Sequence, residues 1–317
     1  MSGSAIKKRH VQGANTDNME MPKTRPATKA RTVTWHELSE WRRDNKYILS
    51  GYRPTTAAYT DILTSLMFLH NETCNVYTHL IGALLLPLIA ISVMQMLSEP
   101  QFLDVSGTDY VVFGIFFCCA EWNLIFSTIY HPVGSHSHAI EQFWLRMDLL
   151  GIVTVTVGTF IPGIYYIFPC EPDLQKLYWA IITASGAATA TLISIPKFRT
   201  LRWWKARVGA YVALGASAFI PLLHGVQLYG LEYMLQYPGM KWYLLELVFY
   251  GVGLYGSRTP ERFAPGKFDI WGSSHQIFHV CILCAMYIHV TALVQVFTTC
   301  HKIDVCSIQA AYKEGHR

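Results

Sequence analysis

Charge is what this sequence has least of. Only 15% of its 317 residues are Asp, Glu, Lys or Arg, against 52% hydrophobic, and the mean hydropathy is +0.25. A soluble domain carries charge on about a quarter of its residues, so the shortage argues against a globule facing water on all sides. The charges present crowd into the first 75 residues and a few short loops. No apolar core follows the basic start of the chain, so no cleavable signal peptide is expected and the first membrane helix would serve for targeting. No internal repeat is visible. The apolar blocks also lack a ladder of acids or histidines running through them, which argues against a transporter. The basic N-terminal tail reads as a solvated or anionic-lipid-contacting segment, with no nucleic-acid partner expected.

What is there is a series of apolar blocks separated by polar breaks. A helix needs about 20 mostly apolar residues to cross the hydrocarbon core. Seven segments qualify, at 76–97, 110–130, 147–168, 177–195, 207–229, 241–257 and 275–298. The sixth is the shortest and contains Glu246. The fold class expected is all-α, a seven-transmembrane-helix bundle of the plasma membrane or an endomembrane. Ahead of it, residues 1–46 read as a disordered basic tail, with a short helix near Trp35 and Trp41. Residues 47–75 form an interfacial segment whose stretch 57–70 is apolar on one side and too short to span. The membrane domain then covers 76–298, and 299–317 is a C-terminal tail.

Lys and Arg alternate in abundance between the two sides of such a bundle. The segments on the N-terminal side hold 20 and those on the opposite side 5. The excess places the N-terminus in the cytoplasm and the C-terminal tail outside. Eight cysteines lie mostly within apolar blocks. Cys281 and Cys284 form a C-x-x-C inside an apolar helix, where packing is the expected role. Cys170, Cys300 and Cys306 can pair on the far side, and sequence does not fix which do.

Helix parity carries the chemistry. With seven spans, the end of the second, the start of the third and the start of the seventh share one face of the membrane. The second ends in S-T-I-Y-H, with Ser127 and His131 at i and i+4. The third opens with R-M-D, placing Asp148 in its first turn, and the seventh opens with S-S-H-Q-I-F-H, placing His275 and His279 at i and i+4. Residues so spaced share a helix face, so His275 and His279 can offer two imidazoles to one ion, with His131 as the third. Three histidines leave the fourth tetrahedral position of Zn2+ open, the catalytic arrangement rather than the structural one. Asp148 is placed to act as general base, with Ser127 helping to hold water or an oxyanion. A histidine near a helix end is also commonly a packing residue, and that reading stays open on spacing alone. His79, His224 and His289 lie within spans and are read as structural hydrogen-bonding groups; His136 and His138 are read as solvated loop residues. Glu121 and Glu246 should face the bundle interior. The sequon Asn71-Glu72-Thr73 falls on the cytoplasmic side and should be unused.

Four stretches resemble a known family: HNETCNVYTHLIG (70–82), STIYHPVGSHS (127–137), MDLLGI (147–152) and GLYGSRTPERFAPGKFDIWGSSHQIFHV (253–280). They are similar to the progestin and adipoQ receptor family, which includes adiponectin receptors and haemolysin III-related proteins, and most of all to its adiponectin-receptor branch. The resemblance runs from about residue 47 to 298. It implies seven helices with a cytoplasmic N-terminus and zinc held at the positions of His131, His275 and His279. The family's serine and helix-three aspartate fall on Ser127 and Asp148. Its likeness to alkaline ceramidases implies hydrolysis of ceramide-type amides. Two functions follow as expectations. One is a zinc-dependent lipid amide hydrolase, with a role in lipid, sterol or zinc homeostasis and a ceramide or sterol-like ligand from the bilayer. The other is a non-catalytic receptor in which zinc is structural.

Overall fold

A computed structural model describes residues 31–217, 219–255 and 259–315. Among the described residues the chain is helical, with one isolated antiparallel bridge between Val33 and Tyr52. The α-helices are α1 (Tyr59–Ser65), α2 (Thr73–Leu97), α3 (Gly107–Val133), α4 (His138–Ile167), α5 (Pro172–Ser194) and α6 (Trp204–Ser217). They continue with α7 (Phe219–Gln236), α8 (Met240–Tyr255), α9 (Thr259–Phe263), α10 (Ser274–Cys300) and α11 (Val305–Gly315).

Among the described residues, six stretches are long and apolar enough to cross a membrane: α2, α3, α4, α5, α6 with α7, and α10. The shorter α8 is the seventh member of the bundle. Apolar side chains point outward along these helices, with Leu84, Leu88, Leu223 and Val248 each more than half exposed. In water such a surface would drive association; against lipid it costs nothing. The chain is a multi-pass integral membrane protein.

Local chemistry sets several boundaries. Ser106 and Asp109 form a capping box at the start of α3, and Pro172 occupies the first turn of α5. Antiparallel α3 and α4 lie close because Gly151 and Gly158 face them. A Cβ on Gly151 would stand 3.0 Å from Asn123 Cα, and one on Gly158 2.5 Å from Cys119 Cβ. Small residues seven apart let two helices approach to backbone distance, and this register brings Asp148 opposite Ser127. Toward the other end, Phe113, Phe116, Phe117, Leu293 and Phe297 fill the core between α2, α3 and α10.

Three expectations change. The third span begins at His138, so Asp148 lies almost three turns into α4 rather than in its first turn. The polar run H-A-I-E-Q-F-W-L-R-M-D continues the helix beyond the apolar block, which hydropathy cannot see. The interfacial helix is only Tyr59–Ser65, with Leu63 exposed on it and Met67 exposed just beyond its end. The disorder expected over 1–46 does not extend over 31–46. That stretch forms 3-10 turns at Trp35–Glu37 and Glu40–Arg42, where a short helix is expected, and buries Leu38 and Asn45; residues 1–30 lie outside the described residues. At the far end, Cys170 pairs with Cys306, and α11 lies against α7 through Tyr233 and Tyr312, whose rings are 5.4 Å apart.

Candidate metal centre

His131 closes the last turn of α3, while His275 and His279 stand one turn apart at the start of α10. One ligand nitrogen from each lies within 4.8 Å of the other two. His131 Nε2 is 3.1 Å from His279 Nε2, which is 3.3 Å from His275 Nε2. Four-coordinate Zn2+ with bonds of about 2.0–2.1 Å sets its ligand nitrogens about 3.3–3.4 Å apart. The spacing therefore suits one small tetrahedral cation. His131 and His279 are 4% and 2% exposed, and His275 forms the open rim.

Neighbouring groups fix the tautomers. His131 Nδ1 is 2.7 Å from a Glu72 carboxylate oxygen. Nδ1–H donates there, so the Nε2 lone pair faces the centre. Thr78 Oγ1 directs its proton to the Cys74 carbonyl at 2.8 Å and lies 3.4 Å from His279 Nδ1. Its lone pair faces His279 Nδ1–H, so His279 Nε2 also points a lone pair inward. Two lone pairs 3.1 Å apart with no proton between them repel, and a cation in the gap turns that repulsion into ligation. A carboxylate behind a ligating imidazole is the usual outer support of such a site. Glu72 stands just ahead of α2, outside the span. Burial alone would raise its carboxyl, but the imidazole of His131 and the Asn75 amide, 2.6 Å away, hold it well below the usual carboxylate range.

Ser127 and Asp148 meet across the α3–α4 contact as hydrogen-bond partners. The five residues singled out by spacing are thus at one end of the bundle, three grouped so that they could hold a metal ion and two alongside. Sequence reasoning missed Glu72 and Thr78. Glu72 sits in the N-E-T triplet, where the sequon pattern drew attention to Asn71; that asparagine is buried and cannot serve as an acceptor of sugar. The remaining histidines divide. His224 bonds Tyr178 at 2.8 Å, and His289 pairs with buried Glu246 at 3.0 Å, both structural hydrogen bonds. His79 departs from that expectation: its ring stacks on His279 at 3.8 Å, and neither nitrogen has a partner among the described residues. His136 and His138 lie against the rings of Tyr59 and Trp41.

The haemolysin III-related family matches residues 67–290. An adiponectin-receptor-like receptor of Saccharomyces cerevisiae, IZH2, is 33% identical over 93% of this chain and 93% of its own length. Progestin and adipoQ receptor-like protein 1 of Caenorhabditis elegans is 33% identical over 82% of this chain, which spans 59% of that longer protein. A heptahelical transmembrane protein of Oryza sativa, ADIPOR1, is 29% identical over 84% of both chains. The helices, the three imidazoles at one end of them and these likenesses agree: the chain belongs to the haemolysin III-related family, among its heptahelical, adiponectin-receptor-like members.

Proposed function

We propose that the chain holds Zn2+ through His131, His275 and His279 and hydrolyses the amide bond of a ceramide-type lipid at the cytoplasmic face of the membrane. The convergence of three inward-facing Nε2 atoms beside an Asp148–Ser127 pair carries this reading. The side is supported by the excess of Lys and Arg, 20 against 5. The Cys170–Cys306 disulfide at the opposite end of the bundle agrees, since disulfides persist on the oxidising face.

Zinc in such a site supplies Lewis acidity, polarising a carbonyl oxygen and lowering the pKa of a water toward about 7. The chain's own groups do the rest. Asp148 accepts the proton as water adds to the amide carbon and delivers it to the nitrogen as the C–N bond breaks. A carboxylic acid and an amine leave, and Asp148 is restored to the carboxylate. Ser127 holds the Asp148 carboxylate toward the centre. Glu72 and Thr78 hold two of the imidazoles in the ligating tautomer. The rim at His275 leaves an entry for a headgroup whose tails stay in the bilayer.

The test is release of fatty acid from ceramide by purified protein, run beside metal analysis. Asp148→Asn should keep its zinc and lose turnover by about 10²–10⁴-fold. His279→Ala should lose both. Ordinary turnover in either variant overturns the hydrolase. The names of the relatives favour a second reading, a receptor in which zinc braces α3 and α10. It expects no lipid product from any preparation and a protein that binds its ligand unchanged after Asp148→Asn.

A further inference from the structure

Among the described residues, none of 45–56 touches the three ligating imidazole rings through any hydrogen bond or ring contact, yet this stretch is tied to both helix ends that carry them. The last carbonyls of a helix have no partner within it. In α3 two of these, on His131 and Pro132, accept from the Arg53 guanidinium, with Nη1 2.9 Å from the Pro132 oxygen and Nη2 on His131 itself. Arg53 is 3% exposed and also reaches Ser65 Oγ at 3.2 Å. A cation at a helix C-terminus answers the negative end of its dipole. Here it also clamps the peptide of the ligand residue. Three residues on, Thr56 N–H donates to the Ser135 carbonyl at 3.1 Å, holding the chain just past α3.

The same stretch reaches α10 through α9 and the segment between α9 and α10. Asn45 Nδ2 donates to Glu261 Oε1 at 3.0 Å, and Glu261 Oε2 accepts the N–H of Ser274 at 3.0 Å, one residue before His275. The Ser274 hydroxyl donates to Glu261 as well. Asp269 accepts from Leu49 N–H at 2.9 Å and Ser50 Oγ at 2.6 Å, and Gly266 N–H donates to the Tyr47 carbonyl at 3.1 Å. Gly51, at φ +80°, passes so close that a Cβ would lie 2.5 Å from Ile270. Only glycine adopts that backbone readily, so the path of the chain is set there. Glu261 and Asp269 are buried carboxylates that would be costly without these donors.

From this geometry we infer that residues 45–56 are a strap belonging to the metal centre. In it Arg53 is the positioning residue for His131, and Glu261, held by Asn45, is the positioning residue for His275 and His279. The inference rests on the zinc reading above and adds to it the part of the chain that keeps three imidazoles in register across two helices. A ligand set pre-organised in this way releases metal slowly. Loosening the backbone of one ligand speeds release even when the ring itself is intact.

Chelator-driven zinc release from the purified full-length protein tests the strap, read beside the melting temperatures of zinc-loaded and zinc-stripped samples. Arg53→Met should release zinc about 10–100-fold faster and narrow the gap between the two melting temperatures, with Arg53→Lys in between. Arg207→Met is the control, because Arg207 makes the same kind of bond, to the Phe198 and Thr200 carbonyls at 2.8 and 3.0 Å, at a different loop. It should lower both melting temperatures together and leave release unchanged. Wild-type release and an unaltered gap in Arg53→Met overturn the strap while the metal centre stands. A wild-type protein without zinc overturns the metal reading and the strap with it. Should Arg53→Met fail to accumulate, Glu261→Gln and Arg53→Lys decide by the same comparison.

Discussion

His301, just past the end of α10, has an acceptor at each ring nitrogen. Nδ1 lies 2.7 Å from the Leu103 carbonyl, and Nε2 lies 3.2 Å from Asp109 Oδ1. Neither partner can donate, so only the imidazolium satisfies both. Burial opposes that charge, but the bonds to Asp109 and Leu103 and the nearby Asp104 together raise the imidazole above its ordinary value. The Phe297 ring packs against it, and Asp109 is itself held by Tyr166 and Ser106. A raised histidine stabilises the fold fully below its unfolded pKa, about 6.5, and the contribution is lost as pH climbs through the folded value. The melting temperature should therefore fall as the pH rises above about 6.5, and His301→Gln should flatten that fall; parallel profiles would refute the assignment. The residue scale is also where sequence was most and least informative. His131, His275, His279, Ser127 and Asp148 are legible because a four-residue spacing and helix parity put them together. Glu72, Thr78 and Arg53 are not, since each acts on a residue distant in sequence and carries no periodic signal of its own.

At the scale of elements, the α3–α4 pair sets the distance between His131 on one helix and Asp148 on the other. That distance depends on Gly158, whose missing side chain admits Cys119. Gly158→Leu should separate the helices, lower stability by about 1–3 kcal/mol and reduce turnover without removing the zinc ligands. A thermal melt with a parallel activity assay checks this, and unchanged values in both would contradict the packing account. Apolar runs located the spans well, including α8 near 241–257. They misplaced the start of α4 by nine residues, because a helix can continue into the polar interface at no cost once its first turns have water and neighbours to bond. The short α11 was beyond hydropathy because it is held by tertiary contacts rather than by lipid.

Over the whole molecule the two ends of the bundle do different work. One end gathers the imidazoles, the Asp148–Ser127 pair and residues 45–56; the other is closed by aromatic packing, the His301–Asp109 contact and the Cys170–Cys306 bond. Seven spans and their alternating charge were readable from composition alone. The folding of residues 31–46 onto the bundle was not, because its Arg, Asn and Asp residues look like a solvated tail until the buried carboxylate of Glu261 is seen opposite Asn45.

Zinc-edge X-ray absorption on protein purified without chelator, paired with elemental analysis, tests the central claim most directly. About one zinc per chain, with three imidazole nitrogens at about 2.0–2.1 Å and loss of the metal in His131→Ala and His279→Ala, is the expected result. A metal-free active protein, a sulfur-ligated zinc, or zinc retained in full by both variants would contradict it.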